Sequence, residues 1–203
     1  FTSFNLSSTN TDATVVDTGG LALGNVNLGT GNFTLNTTNG NLTQTGALTS
    51  NVADITTGAG TATLTNAGNN FTSLDLSATN TDASVADTGG LALGTVNVGT
   101  GDFTLNTSNG TLTQTGALTT NVANITTGAG NLTLDNAGNN LTTAVLSTTN
   151  NATLVEANGL NLGASTVGGT LGLTVASGDL NISAPSSVGA ADFNIATGNY
   201  SGG

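Results

Sequence analysis

Along the first seventy positions, apolar residues come two apart in short bursts. Phe4 and Leu6 form one burst and Leu21 and Leu23 another; Val26 with Leu28 and Phe33 with Leu35 follow, then Val52 with Ile55, and Leu64 between Thr63 and Thr65. A spacing of two is the side-chain period of a β-strand. No stretch sustains a 3.6-residue stripe, and Thr, Val, Gly and Asn are weak helix formers, so no long helix is expected. The segments between bursts are SSTNTD, DTGG, GTGN, NTTNG, TTGAG and NAGNN. Gly and Asn enter the positive-φ conformations of tight corners at the least steric cost.

The pattern then returns. Residues 1–70 and 71–140 are identical at 55 of 70 positions without a gap, and a looser third copy opens at Leu141 (LTTAVLSTTNNATLVEANGLNLG) and fades toward Gly203. Tandem copies with no linker between them indicate units that bury their apolar faces against one another. The chain therefore divides into repeat 1 (1–70), repeat 2 (71–140) and a degenerate repeat 3 (141–203) of one continuous solenoid. About nine bursts per repeat, grouped in threes, predict an all-β, right-handed parallel β-helix with about three coils of roughly 23 residues per repeat. Coils of about 17 residues are a weaker alternative. At ~4.8 Å per coil, a repeat advances ~14 Å and the whole chain ~40 Å. An antiparallel sandwich also uses short strands and frequent turns, but it does not account for gapless copies in which NAGNN runs straight into FTS.

Composition removes many functions. There is no Lys, Arg, His, Cys, Met or Trp, and the eleven Asp and Glu residues leave a net charge of −11. Phosphate recognition needs clustered Lys or Arg, so nucleic acid is not an expected partner, and an anionic membrane surface is disfavoured on the same ground. His and Cys, the usual ligands of zinc and copper, are missing, and no disulfide can form. Thr, Asn and Gly supply 42, 29 and 30 residues. Such bias can mark disorder, but disordered chains are poor in aliphatic residues and rich in Pro. Here Leu, Val, Ile and Phe recur regularly and Pro185 stands alone. No run of 18 apolar residues is long enough to span a membrane as a helix. With Phe1 at its start and no signal peptide visible, the sequence reads as an internal or processed portion of a larger polypeptide.

The candidate chemistry is sparse. VVDTGG (15–20) and VADTGG (85–90) resemble the catalytic loops of aspartic proteases, which need two carboxylates sharing one proton. Three coils would hold Asp17 and Asp87 about 14 Å apart, and the third copy offers Glu156 and Asn158 in VEANG; a corner following a strand is the expected role. No calcium-roll nonapeptide or EF-hand loop occurs, and Asp12, Asp54, Asp102, Asp135, Asp179 and Asp192 read as single corner or solvent residues. A lyase would need a basic group and a glycosidase a clustered carboxylate pair. No catalytic, cofactor-binding or metal-binding residue is therefore assigned, and the chain is expected not to be an enzyme and to need no cofactor. The pairs Thr43/Thr45, Thr63/Thr65 and Thr113/Thr115 could build a flat face that orders water or meets a glycan or ice-like surface. Asn32, Asn41, Asn124, Asn131, Asn140 and Asn181 open Asn-x-Ser/Thr sequons.

The segment GLALGNVNLGTGNFTLNTTNGNLTQTGALT, followed by segments such as GTATLTNAGNN leading into FTS, resembles the shaft repeats of filamentous haemagglutinin-type adhesins, large bacterial surface proteins exported by two-partner secretion. The resemblance runs through nearly the whole chain, strongest over residues 1–140 and weaker after Ser165. It implies a right-handed parallel β-helix at the bacterial cell surface, serving attachment or biofilm cohesion. The secretion domain of that family, with its Asn-Pro-Asn motifs, has no counterpart here. Expected partners are further coils of the same chain or end-to-end copies of it, with a glycan or matrix ligand as a further class. The expected function is a structural shaft, and the alternative is a binding module acting through a Thr-rich face.

Overall fold

The computed structural model describes residues 1–202 and contains 21 β-strands and no helix among them. Repeat 1 supplies β1 (Ser3–Ser7), β2 (Ala13–Val16), β3 (Leu21–Asn27), β4 (Phe33–Asn36), β5 (Leu42–Gln44), β6 (Leu48–Gly58) and β7 (Ala62–Leu64). The next seven strands, from β8 (Asn70–Ala78) to β14 (Leu132–Leu134), are their copies, and β15 (Asn140–Thr148) to β21 (Tyr200–Gly202) complete the chain. Each strand pairs in parallel with the second strand after it. One ladder therefore holds the odd-numbered strands and the other the even-numbered ones. Where the longer strands bend, the ladders also join, through Val26↔Leu48, Val96↔Leu118 and Ser147↔Thr166. Two strands make a coil, and groups stacked on one another lie 18 to 22 residues apart, as in Ala144↔Leu162, Phe33↔Ala53 and Val26↔Leu48.

The expected parallel β-helix is present, with different coil dimensions. Coils are near 20 residues rather than 23 and carry two strands rather than three, which gives about ten coils in all. Part of the difference arises at Gly24. Leu21, Leu23 and Val26 belong to one strand, with Leu28 just beyond its end, and the facing slips by one residue so that Leu23 and Val26 both point inward. The register with β1 shifts at the same place, Phe4 pairing with Leu23 but Leu6 with Val26, which is a β-bulge. A Cβ on Gly24 would overlap the end of the Asn5 side chain, which would have to move aside. Ten coils at ~4.8 Å make a stack of ~48 Å, and one repeat spans ~17 Å.

Seven is an odd number, and the repeat is built around that. Strands alternate between ladders, so each strand of repeat 1 finds its copy on the opposite ladder in repeat 2. β2 lies on the even ladder, while its copy β9 (Ala83–Ala86) lies on the odd one. Successive repeats are therefore related by three and a half coils, a half-turn about the long axis, and the same face returns after every second repeat.

A single apolar column fills the interior. Val15, Leu35, Ile55, Leu76 and Val96 stack in register on the even ladder, all at most 7% exposed. Size alternates where aromatics enter. Phe33 lies between Ala13 and Ala53, and Phe103 between Ala83 and Ala123. A coil spacing of ~4.8 Å leaves little depth for a ring unless the coils above and below carry a methyl.

Candidate functional site

The polar side chains with most structural consequence sit at the corners. In each repeat one buried acid stands at the end of the second strand, Asp17 and Asp87 just after it and Glu156 as its last residue. Asp87 Oδ1 accepts the Phe71 backbone N–H at 2.8 Å and its Oδ2 accepts that of Gly89 at 2.9 Å. Glu156 Oε2 accepts the Leu141 N–H at 3.0 Å and its Oε1 that of Asn158 at 3.2 Å. Asp17 Oδ1 accepts from the Phe1 ammonium at 2.5 Å. Phe1, Phe71 and Leu141 are the first residues of the three repeats, so each acid holds the backbone nitrogen at which its own repeat begins.

Electrostatics separates the three. The ammonium bonded to Asp17 holds its carboxyl below the ordinary range. Burial raises Asp87, against the N–H bonds it accepts, and pushes Glu156 up to about 7 for the same reason. Glu156 is fully buried in a sequence without a side-chain cation, so desolvation of the charged form prevails over its hydrogen bonds.

Asp17 and Asp87 do not approach one another. They are separated by three and a half coils rather than three, and they follow strands of opposite ladders, so they form no proton-sharing dyad. Other acids, however, are not single. Asp54 and Asp75 are direct register partners, and Asp82 Oδ1 accepts the Asp102 N–H at 2.9 Å. Burial and the neighbouring Asp75 charge raise Asp54. The observed coil length brings these positions together, where the longer expected coil would not. No group of three or more acidic residues able to hold a metal ion occurs among the described residues.

Corner Asn and Asp side chains link one coil to the next. Asn10 Oδ1 accepts the Thr30 N–H, Asn39 that of Ala59, Asn41 that of Thr61 and Asn80 that of Thr100, each one coil later, at 2.9 to 3.1 Å. Asn10, Asn39, Asn80 and Asn109 also hold positive φ between 55° and 81°. Only the oxygen is used in these contacts. Asn5 and its copy Asp75 both accept the amide one coil on, from Asn25 and Thr95, at 2.8 Å. Sequence reasoning missed a pair with a larger role, a buried Asn with a half-buried Gln. Asn69 is fully buried, accepts the Leu48 N–H, donates to the Leu64 and Ala86 carbonyls and pairs with Gln44; Asn139 and Gln114 repeat the arrangement. The signal was available in the joint recurrence of LTQ and NAGNN.

The Thr pairs divide between the two sides. Thr43 and Thr45 follow the odd ladder, where their hydroxyls donate to Leu21 and Leu23 carbonyls; Thr113 and Thr115 do the same with Leu91 and Leu93 on the even one. An outward column Thr63–Ser84–Thr104–Asn124 does form on the odd ladder. Of the sequon residues, Asn32, Asn41 and Asn131 accept backbone amides, Asn140 and Asn181 bond to other Asn side chains, and Asn124 is exposed on β13 (Leu118–Gly128).

Residues 10–77, 80–148 and 149–199 match a family described as repeats of unknown function (DUF5649). No curated protein and no solved structure matches the chain.

Proposed function

From a chain that belongs to the DUF5649 family of repeats and stacks them without a break, we propose a structural role: the rigid shaft of an extracellular adhesin or surface filament of a bacterium. The observation that carries this reading is the uninterrupted column of coils, tied by backbone ladders and by corner Asn and Asp side chains. Such a column resists bending and holds whatever is joined to it at a fixed distance. The resemblance to filamentous haemagglutinin-type shafts supports attachment or biofilm cohesion as the purpose and two-partner secretion as the export route. A catalytic role is not proposed, because the buried acids are engaged with backbone nitrogens.

The test is a length series in the parent protein on its own cells. Removing residues 71–140 should leave the fold intact, shorten reach by ~17 Å and weaken attachment in step with length. Attachment that ignores shaft length overturns the reading. A second reading, direct binding of a glycan or ice-like surface, is favoured by the Thr63–Ser84–Thr104–Asn124 column. Replacing Ser84 and Thr104 with Lys would abolish attachment at unchanged length if that face binds, and leave it intact if the shaft alone matters.

A further inference from the structure

An asparagine followed by glycine can modify itself. The glycine nitrogen, with no side chain beside it, can reach the Asn Cγ and close a five-membered ring. The sequence holds three such pairs, Asn39–Gly40, Asn109–Gly110 and Asn158–Gly159, preceded by Thr38, Ser108 and Ala157. The fold treats them unequally. The Gly40 N–H donates to the Thr37 carbonyl at 3.0 Å and the Gly110 N–H to that of Thr107 at 2.8 Å, so the attacking nitrogen is engaged in both. Both asparagines are anchored as well. Asn39 Oδ1 accepts the Ala59 N–H at 2.9 Å and Asn109 Oδ1 that of Ala129 at 3.0 Å, each one coil later, from positive φ of 70° and 81°. Each glycine is also pressed against the preceding coil, where a Cβ would overlap the carbonyl of Gly19 or Gly89.

The third pair has none of this. Asn158 and Gly159 join β16 (Ala152–Glu156) to β17 (Leu160–Leu162), and both are exposed. The Gly159 N–H donates to no group among the described residues. It faces Gly178, which has no side chain to cover it; a Cβ there would come within 2.7 Å of that nitrogen. The Asn158 side chain has a single exposed tie, from Nδ2 to Asn140 Oδ1 at 3.2 Å. We propose that Asn158 is a self-modification site, deamidating through a succinimide in the folded protein while the corners of Asn39 and Asn109 preserve them. The Gly159 nitrogen bonds to Asn158 Cγ, the Cγ–Nδ2 bond breaks, and ammonia leaves with the proton of the Gly159 amide. Water then opens the ring at either carbonyl, giving aspartate or isoaspartate and an added negative charge. That charge arises beside the buried Glu156, whose Oε1 accepts the Asn158 N–H. The inference is independent of what the shaft carries.

Fragmentation mass spectrometry of the intact chain tests the proposal, since the sequence offers trypsin no cleavage site. Incubated folded at mildly alkaline pH, the protein should gain the mass of deamidation at Asn158 at least about tenfold faster than at Asn39 or Asn109, whose reaction awaits local opening. In concentrated urea that protection is gone and the three rates should converge to within about threefold. In Asn158→Gln, whose longer side chain disfavours the five-membered ring, the fast product should vanish. Equal rates at the three pairs in the folded chain overturn the proposal. So does a preference for Asn158 that survives in urea, because it would then belong to the local sequence and not to the fold. A fast product that persists in Asn158→Gln overturns it too, by placing the reaction at another residue.

Discussion

At the scale of single residues, the informative groups are polar ones withdrawn from water. Glu156 is the clearest. Its carboxyl rises from 4.5 to about 7 in the folded chain because burial disfavours the charge. Between those values the unfolded chain is ionised while the folded one keeps its proton, so folding binds protons and stability falls as pH rises from 4.5 to 7. The full loss is about 3 kcal/mol, at ~1.4 kcal/mol for each tenfold change in proton affinity. Urea titrations between pH 5 and 8 should show this slope in the wild type and a flatter one in Glu156→Gln; an unchanged slope in the variant assigns the effect elsewhere. The aromatic sites give a second expectation. Phe103→Ala leaves a methyl between the methyls of Ala83 and Ala123 and should cost about 3–5 kcal/mol, whereas Ala123→Leu should cost about 1–3 kcal/mol by crowding the ring. Thermal unfolding of the two variants decides both.

At the scale of the strand and its corner, Asn80 shows why this composition suits this fold. It holds a positive φ of 56° and caps the Thr100 amide one coil on. Asn tolerates the left-handed region better than other residues with a side chain, and its amide oxygen imitates a backbone acceptor. Asn80→Asp keeps both properties and should change stability by less than about 1 kcal/mol, while Asn80→Ala loses the acceptor and strains the backbone, at about 2–3 kcal/mol. Equal melting temperatures for the two variants would refute this account of the corners. Much of this level was legible in the sequence. The period of two gave the strands and Gly with Asn gave the corners. What escaped was the bulge at Gly24, since a facing slip within one strand leaves the same mark as two short strands separated by a kink. That ambiguity counted β3 twice, and grouping the bursts in threes where two strands make a coil made the expected coils too long. It also hid the Asp54–Asp75 pairing, because neighbours in a stack are set by coil length and not by any local motif. The Asn69–Gln44 pair, its members 25 residues apart, left only the joint recurrence of LTQ and NAGNN as its mark.

At the scale of the whole molecule, the half-turn per repeat makes length and orientation change together. Removing residues 71–140 joins Asn70 to Leu141, the junction already seen at Asn140–Leu141, so every coil keeps a neighbour of the right kind. The shortened chain should fold with a melting temperature within a few degrees of the parent. Removing residues 71–90 instead deletes about one coil, Asp87 and both its partners included, and takes the Ala86 carbonyl and Thr88 away from the buried Asn69. It should lose several kcal/mol, since each contact leaves a buried polar group unpaired at about 1–3 kcal/mol. Circular dichroism with urea titration of the two deletions separates a stack that counts in whole repeats from one that counts in coils.

The alternation of ladders also governs how a long array of these units would look to a macromolecule approaching from outside. An immunoglobulin fragment recognising the exposed surface of β4 would meet the same epitope on the far side one unit further along, on β11 (Phe103–Asn106). Bound fragments would leave the fibre alternately to left and right, each clear of the next, and saturation at one fragment per unit would be reached although adjacent epitopes are only ~17 Å apart along the axis.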